Sequence, residues 1–302
     1  MSSRIFIDGQ AGTTGLGIAQ RLEAAGAFTL VTLPESHRKD REARAEAMSR
    51  ADLTVLCLPD DAAREAVSIA PQGARILDAS TAHRVAEGWV YGFAEALPGQ
   101  AEKIAAAARV ANPGCYATGA IALLRPLTAL GLLAAETPLS VNAISGYSGG
   151  GKSMIAAHEA SGGPAFELYA LGLKHKHLPE VVRYAGLDRA PIFVPSVGHF
   201  AQGMLVCVPL HLEQLAKAGS AAHLAEAYAD YYAGAETISV QRGIWGANLD
   251  PRALNNTDRL EIFVCANEAA GQVVLISRLD NLGKGASGAA VQNINLMLGL
   301  AA

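Results

Sequence analysis

Short apolar runs alternate with helix-like stretches along the first third of the chain. The stretches 15–25, 41–50 and 61–69 are predicted to be helices, and the first stops at Gly26. The apolar runs between them are predicted strands: Arg4–Asp8, Phe28–Leu33, Leu53–Leu58, Arg75–Ala79 and Arg109–Ala111. Regular alternation of strands and helices predicts a parallel, doubly wound sheet of the Rossmann type, in the α/β class.

The pattern changes after about residue 137. Strand-like runs become longer and several follow one another directly: LSVNAIS, PIFVPSV, GMLVCVPL, RLEIFVCA and GQVVLISRL. Helices are predicted over 153–161 and 220–233, and a last one over 286–302 has Ala290, Ile294, Met297 and Leu298 on one face. The second part of the chain is therefore expected to be an α+β domain whose sheet is mostly antiparallel.

Composition excludes several classes of partner. The 302 residues carry a net charge of −4, with no basic stripe interleaved with aromatics, so we expect no nucleic-acid partner. The apolar stretch 119–133 is interrupted by Arg125 and Pro126, so we expect no membrane span. The first residues lead directly into a strand rather than a signal peptide, which predicts a cytoplasmic protein. The 4 cysteines form no C-x-x-C pair, so no metal site is expected.

A glycine-rich turn follows the first predicted strand and opens the first helix. Its sequence is Gly9-Gln10-Ala11-Gly12-Thr13-Thr14-Gly15. Glycines let the backbone approach a pyrophosphate, which then lies on the positive N-terminus of the helix. The spacing is G-x-x-G-x-x-G and not G-x-G-x-x-G, so the context carries the argument, and a plain strand–helix turn is the alternative. We predict that Gly9, Gly12, Thr13, Thr14 and Gly15 bind a dinucleotide.

The end of the second predicted strand should meet the 2′ position of that dinucleotide. Glu35 there would bind a free ribose hydroxyl and favour NAD. Ser36, Arg38 and Lys39 would bind a 2′-phosphate and favour NADP. Two cations and a hydroxyl outweigh one carboxylate, so we predict NADP with Ser36 and Arg38 as ligands. The alternative is a solvated charge run at the start of the following helix.

Cys115 lies in a different setting from the other cysteines. Cys57, Cys207 and Cys265 lie in apolar strand-like runs and are expected to be small buried hydrophobic residues. Cys115 follows Asn112-Pro113-Gly114, a sharp turn before a predicted helix with 117–124 as its body. The positive end of a helix stabilises a thiolate, which is both a good nucleophile and a good leaving group. We predict acyl transfer at Cys115, the alternative being an inert cysteine in a turn.

The motif NPGCY, followed by ATGAIALLRPL, resembles the N-acetyl-γ-glutamyl-phosphate reductases in their shorter, type 2 form. Further similar motifs occur along the whole chain: GQAGTTG, LDASTAHR, YGFAE, SGYSGGGK, HKHLPE, PSVGHFAQGM and DNLGKGASGAAVQNIN. The resemblance implies a fold like that of glyceraldehyde-3-phosphate dehydrogenase, NADPH as cofactor and a thioester on the cysteine. It also implies a homo-oligomer that reduces N-acetyl-γ-glutamyl phosphate to N-acetylglutamate 5-semialdehyde and phosphate in arginine biosynthesis.

The resemblance also implies how the chain divides into domains. We assign residues 1–114 with 285–302 to a dinucleotide-binding domain. Residues 115–284 are assigned to a catalytic and oligomerisation domain. A sister acyl-phosphate reductase, such as an aspartate-semialdehyde dehydrogenase, is the alternative activity, because the last motif is shared with those enzymes.

Two histidines compete for the acid/base role, for which a pKa near neutrality suits imidazole. His177 and Glu180 lie in HKHLPE, which resembles the reductase motif in which the second histidine works beside the cysteine with support from the glutamate. His199 lies in Gly198-His199-Phe200, whose setting resembles that of the base in aspartate-semialdehyde dehydrogenases. We favour His177, and a structural histidine is the alternative for each.

Two cations are candidates for binding the acyl phosphate. Arg84 follows a predicted strand and a polar turn, in a stretch that adjoins the active site of related enzymes, and its guanidinium could hold the acyl phosphate through two parallel bonds. A surface arginine is the equally weighted alternative. Lys152 ends SGYSGGGK, whose backbone amides are expected to form an anion nest. Residues 146–153 also satisfy the P-loop pattern G-x-x-x-x-G-K-[ST], but the other motifs favour the reductase over an ATP-binding protein.

The loop before the last helix is the remaining candidate. It contains Asn281-Leu282-Gly283-Lys284. The resemblance to the reductase family implies that this loop lies near the nicotinamide. Asn281 and Lys284 are therefore predicted cofactor contacts, with an ordinary helix-leading loop as the alternative.

Overall fold

The computed structural model describes residues 2–216 and 220–300, which form two compact units. Unit 1 comprises residues 2–114 and 286–300. Unit 2 comprises the described residues between 115 and 285. Unit 1 is therefore built from two separate stretches of the chain.

Unit 1 contains a parallel sheet, as the strand–helix alternation predicts. In the described part of the chain its strands are β1 (Ser3–Asp8), β2 (Phe28–Val31), β3 (Leu53–Leu56), β4 (Ile76–Asp78), β5 (Val90–Tyr91) and β6 (Arg109–Ala111). All pairings are parallel in the order β2-β1-β3-β4-β6-β5. The doubly wound α/β prediction is confirmed, and in such sheets ligands bind beyond the carboxyl ends of the strands.

Helices cover both faces of this sheet, so its strands are buried on both sides. They are α1 (Thr13–Ala25), α2 (Arg41–Arg50), α3 (Asp60–Ile69), α4 (Gln100–Ala106) and, at the far end of the chain, α9 (Gly288–Leu298). Ile5 and Ile7 of β1 pack in a core with Ile294 and Met297 of α9. Phe6, between them, packs in a second core on the opposite face.

Unit 2 is built on a mixed sheet whose order in the described residues is β11-β12-β13-β10-β7-β9-β8. Its strands are β7 (Ser140–Gly146), β8 (Phe166–Leu168), β9 (Ile192–Gly198), β10 (Met204–His211), β11 (Ile238–Ile244), β12 (Leu260–Asn267) and β13 (Gln272–Leu279). The pairings β7–β9 and β11–β12 are parallel, and the others are antiparallel. Its helices are α5 (Cys115–Ala129), α6 (Gly151–Glu159), α7 (Leu178–Ala185) and α8 (Ala221–Tyr231).

The two faces of this sheet differ. Helix α5 packs closely on one face, since a Cβ atom at Gly119 would come 2.6 Å from Val206 of β10 and 2.7 Å from the hydroxyl of Ser277 in β13. The alternate residues of the same strands remain half-buried, including Leu205, Cys207, Val274 and Ile276. Cys207 lies opposite Ile276 in the register. We call this second side the open sheet face.

Several elements differ from prediction in length or were not predicted. Strands β2 and β3 end earlier than predicted. The last residue of β2, Val31, pairs with Phe6 of β1. The last residue of β3, Leu56, pairs with Asp8, where β1 ends. Helix α5 extends past Pro126. Strands β5, β8 and β11 and helices α4 and α7 were not predicted. No helix in the described residues is long and apolar enough to cross a membrane.

Candidate active site

The glycine turn of unit 1 connects β1 to α1 with its backbone tightly folded. Gly9 has a φ of +88°, and a Cβ atom there would come 2.3 Å from the carbonyl oxygen of Cys57. A Cβ at Gly15 would come 2.6 Å from the carbonyl oxygen of Gly9. Gly12 precedes the first helical residue, Thr13, with no side chain capping the helix. Only glycine fits at positions 9 and 15, and the first amides of α1 lie where an anion would bind.

A cleft of about 260 Å³ lies beside this turn. Its lining residues include Asp8, Gly9–Ala11, Val31–Leu33, Arg38 and Leu58. Arg38 is half exposed and lies 3.8 Å from the largely exposed carboxylate of Glu35. Ser36 is exposed, and its hydroxyl is 3.1 Å from Nδ1 of His37. Of the two predicted 2′-phosphate ligands, Arg38 lines the cleft and Ser36 is not among its lining residues.

A buried ion pair lies behind the cleft and was not predicted. Nε of Arg44, on α2, donates to Oδ2 of Asp8 at 2.9 Å, and both side chains are almost fully buried. Nη1 of Arg44 lies 3.3 Å from Glu65 of α3. Burial raises the pKa of Asp8, although the charge of Arg44 and its hydrogen bond oppose the shift. The last residue before the glycine turn is thus anchored to two helices.

Arg84 lies in the turn that follows β4 in unit 1, and it is 8% exposed. Its Nε donates to the carbonyl oxygen of Asn112 at 3.0 Å, and its Nη2 donates to that of Ala79 at 3.3 Å. Asn112 is the first residue of the Asn-Pro-Gly turn that precedes Cys115. The guanidinium is therefore oriented by two backbone carbonyls.

Cys115 is the first residue of α5 and is half-buried. Gly285 packs directly against it, since a Cβ atom at position 285 would come 2.8 Å from the Cβ of Cys115. The amide of Gly285 donates to the carbonyl oxygen of Asp280 at 2.9 Å. A backbone segment without a side chain therefore lies against the cysteine.

The other three cysteines are also half-buried, less so than the sequence predicts, but burial suppresses their ionisation. It raises the pKa of Cys57 to about 12 and that of Cys207 to about 11. The pKa of Cys265 is raised for the same reason. These thiols are neutral near pH 7.

His177 and Glu180 lie at the start of α7, in unit 2. Nε2 of His177 lies 4.0 Å from Oε1 of Glu180, and both side chains are buried. The ring of His177 is 6.0 Å from that of Tyr116, the residue next to Cys115. Tyr116 donates through its hydroxyl to the carbonyl oxygen of Ser196 at 3.0 Å. The predicted histidine–glutamate pair thus joins the cluster of rings around the residue after the cysteine.

Tyr169 and His175 belong to the same cluster and were not predicted. The hydroxyl of Tyr169 lies 3.5 Å from Nε2 of His175, whose Nδ1 accepts from the amide of His177 at 3.2 Å. Burial raises the pKa of Tyr169 to about 12, and the charge of Cys115 adds to the shift. Burial also raises the pKa of Tyr116, with contributions from Tyr169 and Cys115. Both phenols are therefore neutral hydrogen-bonding groups within electrostatic reach of the sulfur.

His199, the competing histidine, lies in another group of rings. It is exposed, and it stacks on buried His158 with 5.7 Å between ring centroids. Its ring centroid is 6.1 Å from that of Tyr147, with the two rings tilted by 46°. Nε2 of His158 lies 3.6 Å from Glu167. The structure thus brings His177, and not His199, into contact with Tyr116.

Lys152 is the second residue of α6, directly after a 3₁₀ turn over Tyr147–Gly150. The amides of Gly146, Tyr147 and Ser148 donate to carbonyl oxygens of residues 200–203, and that of Gly151 donates to Ser148. The expected anion nest is therefore largely occupied by internal hydrogen bonds. The side chain of Lys152 is exposed.

Asn281 and Lys284 are buried in unit 2. The side-chain oxygen of Asn281 accepts from the backbone N–H of Gly203 at 2.8 Å. Its side-chain nitrogen donates to the hydroxyl of Ser148 at 2.9 Å. Lys284 lies in a π-helical turn over Gly283–Ser287 that leads into α9, and such turns are frequent at functional sites. Among the described residues, no cluster of three or more histidine, cysteine or acidic side chains is suited to a metal.

Comparison with known proteins identifies relatives along the whole chain. Residues 115–281 match the family model described as semialdehyde dehydrogenase, dimerisation domain. The chain is 52% identical to an N-acetyl-γ-glutamyl-phosphate reductase 2 of Pseudomonas putida, covering 98% of this chain and 96% of that one. It is 51% identical to an N-acetyl-γ-glutamyl-phosphate reductase of a Chelativorans species, covering 99% of each.

Solved structures share the fold at low sequence identity. An aspartate semialdehyde dehydrogenase II of Vibrio cholerae, complexed with ASA, aligns with a TM-score of 0.73 at 15% identity over 99% of this chain and 98% of that one. An aspartate semialdehyde dehydrogenase of Candida albicans with NADP aligns with a TM-score of 0.66 at 13% identity over 99% of each chain. At such identities the likeness concerns the fold.

Proposed function

This chain belongs to the N-acetyl-γ-glutamyl-phosphate reductases, and from that premise we propose that it reduces N-acetyl-γ-glutamyl phosphate to N-acetylglutamate 5-semialdehyde and phosphate, with NADPH as reductant, in arginine biosynthesis. The observation that carries the proposal is identity of about half of all positions to such reductases over nearly the full length of both chains. The aspartate semialdehyde dehydrogenases, at 15% identity or so, support the fold and not the alternative substrate.

The cofactor we propose is NADP(H), held by unit 1. Gly9, Gly12, Thr13, Thr14 and Gly15 would hold its pyrophosphate at the N-terminus of α1. The tight turn itself requires glycine at positions 9 and 15, because Cβ atoms there would meet the backbone of Cys57 and of Gly9. Arg38, in the wall of the cleft, would pair with the 2′-phosphate, and Ser36 would add a hydroxyl to that contact. When bound, NADPH supplies the hydride that reduces the acyl group.

The chain's own residues carry out the acyl transfer. The thiolate of Cys115 attacks the acyl carbon, the carbon–oxygen bond to phosphate breaks, and a thioester forms on the sulfur. After reduction, the sulfur–carbon bond breaks, releasing the aldehyde and restoring the thiolate. His177 donates a proton to the acyl oxygen as the thioester is reduced and takes it back when the sulfur–carbon bond breaks. Glu180, 4.0 Å away, keeps the imidazole oriented.

Four further side chains complete the proposed site. Arg84, oriented by two carbonyls, and Lys152, at the start of α6, bind the phosphate of the substrate. Asn281 and Lys284, on the segment whose Gly285 packs against Cys115, would contact the cofactor when it is bound. His199 remains the second candidate for the acid/base role, although its ring contacts are with Tyr147 and His158.

We further propose that the protein is a cytoplasmic homo-oligomer. Residues 1–114 with 285–302 form the dinucleotide-binding domain, and 115–284 the catalytic and oligomerisation domain. The match to a dimerisation domain over 115–281 supports this division, and the half-buried apolar residues of the open sheet face suit contact with a second copy. A nucleophile that works as a free thiol suits a reducing compartment.

Turnover in the oxidative direction tests the proposed activity. We expect phosphate-dependent reduction of NADP⁺ with N-acetylglutamate semialdehyde, followed at 340 nm (roughly the absorbance maximum of the reduced nicotinamide), and far lower kcat/KM with aspartate semialdehyde or with NAD⁺. Omission of phosphate is the control, because acyl phosphate formation requires it. Equal kcat/KM for the two aldehydes would reject the assigned substrate.

A further inference from the structure

The turn between β4 and Arg84 is held by a buried carboxylate and a histidine to which neither the sequence motifs nor the proposed mechanism assigns a role. Asp78 is fully buried and ends β4. Its carboxylate accepts from the amide of Ser80 at 2.9 Å, from the hydroxyl of Ser80 at 2.7 Å and from Nδ1 of His83 at 2.6 Å. Because a carboxylate accepts, Nδ1 of His83 carries the proton.

His83 is fixed on its ring face as well. Its imidazole stacks on Trp89 with ring centroids 4.2 Å apart and 14° between the planes. Trp89 is contacted in turn by Arg109, whose guanidinium lies over the indole ring, 5.8 Å from its centroid. His83 is 8% exposed, so its ring is held by packing and by one strong hydrogen bond.

The same aspartate connects this turn to the strand end that precedes the nucleophile. The amide of Asn112 donates to the backbone carbonyl of Asp78 at 2.7 Å. The carbonyl of Asn112 accepts from Nε of Arg84. Asp78 therefore acts in two ways. Its carboxylate holds the turn that ends at Arg84. Its backbone carbonyl holds Asn112, whose own carbonyl is one of the two that orient the guanidinium of Arg84.

We propose that His83, acting through Asp78, is a positioning residue for the guanidinium of Arg84. The inference rests on the proposed function, in which Arg84 binds the substrate phosphate. A guanidinium held in place before binding loses less conformational freedom when phosphate arrives. Removing the His83 bond frees the turn, so the loss falls on phosphate affinity rather than on cofactor affinity.

Two substitutions at His83 separate its bond from its stacking. His83→Asn keeps an N–H donor on Cγ, where Nδ1 is attached, and loses the stacked ring. His83→Phe keeps a ring on Trp89 and loses the donor. In the oxidative assay we expect His83→Phe to raise the KM for phosphate about tenfold, the equivalent of one charge-assisted hydrogen bond, with the KM for NADP⁺ unchanged. His83→Asn should stay within about twofold of wild type.

Arg84→Met distinguishes failure of the inference from failure of the proposed role of Arg84. If Arg84→Met leaves the KM for phosphate unchanged, Arg84 does not bind phosphate, and the inference falls with that role. If Arg84→Met raises it and His83→Phe does not, the inference alone is wrong. It is also wrong if the two His83 variants lose phosphate affinity and thermal stability alike, because packing would then explain both. Should His83→Phe not fold, His83→Gln, which moves the donor towards the place of Nε2, carries the same expectation.

Discussion

At the scale of single residues, Cys115 differs from the other cysteines in what surrounds its sulfur and not in how much of it is buried. All four cysteines are half-buried. The thiols of Cys57 and Cys207 are desolvated among strands, which raises their pKa. Cys115 stands instead at the first position of a helix, beside the bare backbone of Gly285 and within electrostatic reach of two phenols.

Replacing the sulfur should stop the reaction without disturbing the cofactor. We expect Cys115→Ser to lower kcat by at least about 10³-fold, because a serine hydroxyl is neither ionised nor a comparable leaving group. The dissociation constant for NADPH, measured by fluorescence titration, should stay within about twofold of wild type. Cys207→Ser is the matched control and should retain activity. Substantial turnover by Cys115→Ser would rule out the covalent route.

The two candidate histidines can be ranked by replacing each with glutamine. His177 contacts Tyr116, next to the nucleophile, whereas His199 is exposed and stacked on His158. His177→Gln should lower kcat at pH 7 by about 10²- to 10⁴-fold, the usual contribution of general acid–base catalysis. His199→Gln should change it by less than about threefold. The reverse order would assign the role to His199, and two small losses would reject both.

Arg38 should decide the choice between the two nicotinamide cofactors. It lines the cleft beside the glycine turn, whereas its neighbour Lys39 is exposed and does not line it. Arg38→Ala should raise the KM for NADP⁺ by about 10- to 100-fold, because a charge-assisted bond to the 2′-phosphate is lost. The KM for NAD⁺, which has no 2′-phosphate, should stay unchanged. Lys39→Ala serves as the control. A larger effect of Lys39→Ala would move the phosphate site out of the cleft.

At the scale of elements, the turn between β1 and α1 contains glycines with two different roles: Gly9 is needed for the fold, and Gly12 is proposed to leave room for the cofactor. Gly9→Ala places a Cβ atom 2.3 Å from a carbonyl oxygen at a φ of +88°, so we expect the free energy of unfolding to fall by roughly 3 kcal/mol or more. Gly12→Ala has room, at 3.5 Å from the nearest atom, and should keep the fold. Its methyl group would instead meet the pyrophosphate, weakening NADPH binding about tenfold.

Thermal melting and cofactor titration of both variants would check this difference. The expected pattern is a lower melting temperature for Gly9→Ala, and unchanged melting with weaker binding for Gly12→Ala. Normal NADPH affinity in a folded Gly12→Ala protein would show that the pyrophosphate does not approach this backbone.

The elements that the sequence predicted are those with a regular pattern or obligatory turn residues. The alternation of strands and helices predicted the parallel sheet of unit 1, and the Pro-Gly pair before Cys115 predicted the start of α5. Strand β5, with two residues, is too short to show alternation. Helix α7 has eight residues, although Pro179 and Glu180 in its first turn are a recognisable start signal.

The cluster around Tyr116 was predictable only in part. His177 and Glu180 are three residues apart and share one helical turn, so their pairing follows from spacing. Tyr169 and His175 reach Tyr116 because β8 returns the chain along the edge of a mixed sheet, a long-range pairing that no local pattern encodes. The hydrogen bonds of the Gly146, Tyr147 and Ser148 amides likewise depend on residues 200–203, which are distant in sequence.

At the scale of the whole molecule, the open sheet face should govern assembly. Ile276 lies opposite Cys207 on this face and is half-buried. Ile276→Asp places a charge where we propose contact with a second copy, so the variant should elute as a smaller species in size-exclusion chromatography with light scattering. Leu130→Asp, at a 50% exposed site of unit 2 away from this face, is the control. A variant that is folded by circular dichroism but keeps the wild-type mass would place the interface elsewhere.

Unit 1 draws one hydrophobic core from two stretches separated by unit 2, because Ile294 and Met297 of α9 pack beside Ile5 and Ile7 of β1. A ribosome therefore synthesises β1 before unit 2 and α9 after it. During synthesis, the core that β1 shares with α1 and α4 lacks Ile294 and Met297 until α9 has left the exit tunnel. Unit 2 is continuous in sequence and can complete its core earlier, so we expect it to fold before unit 1.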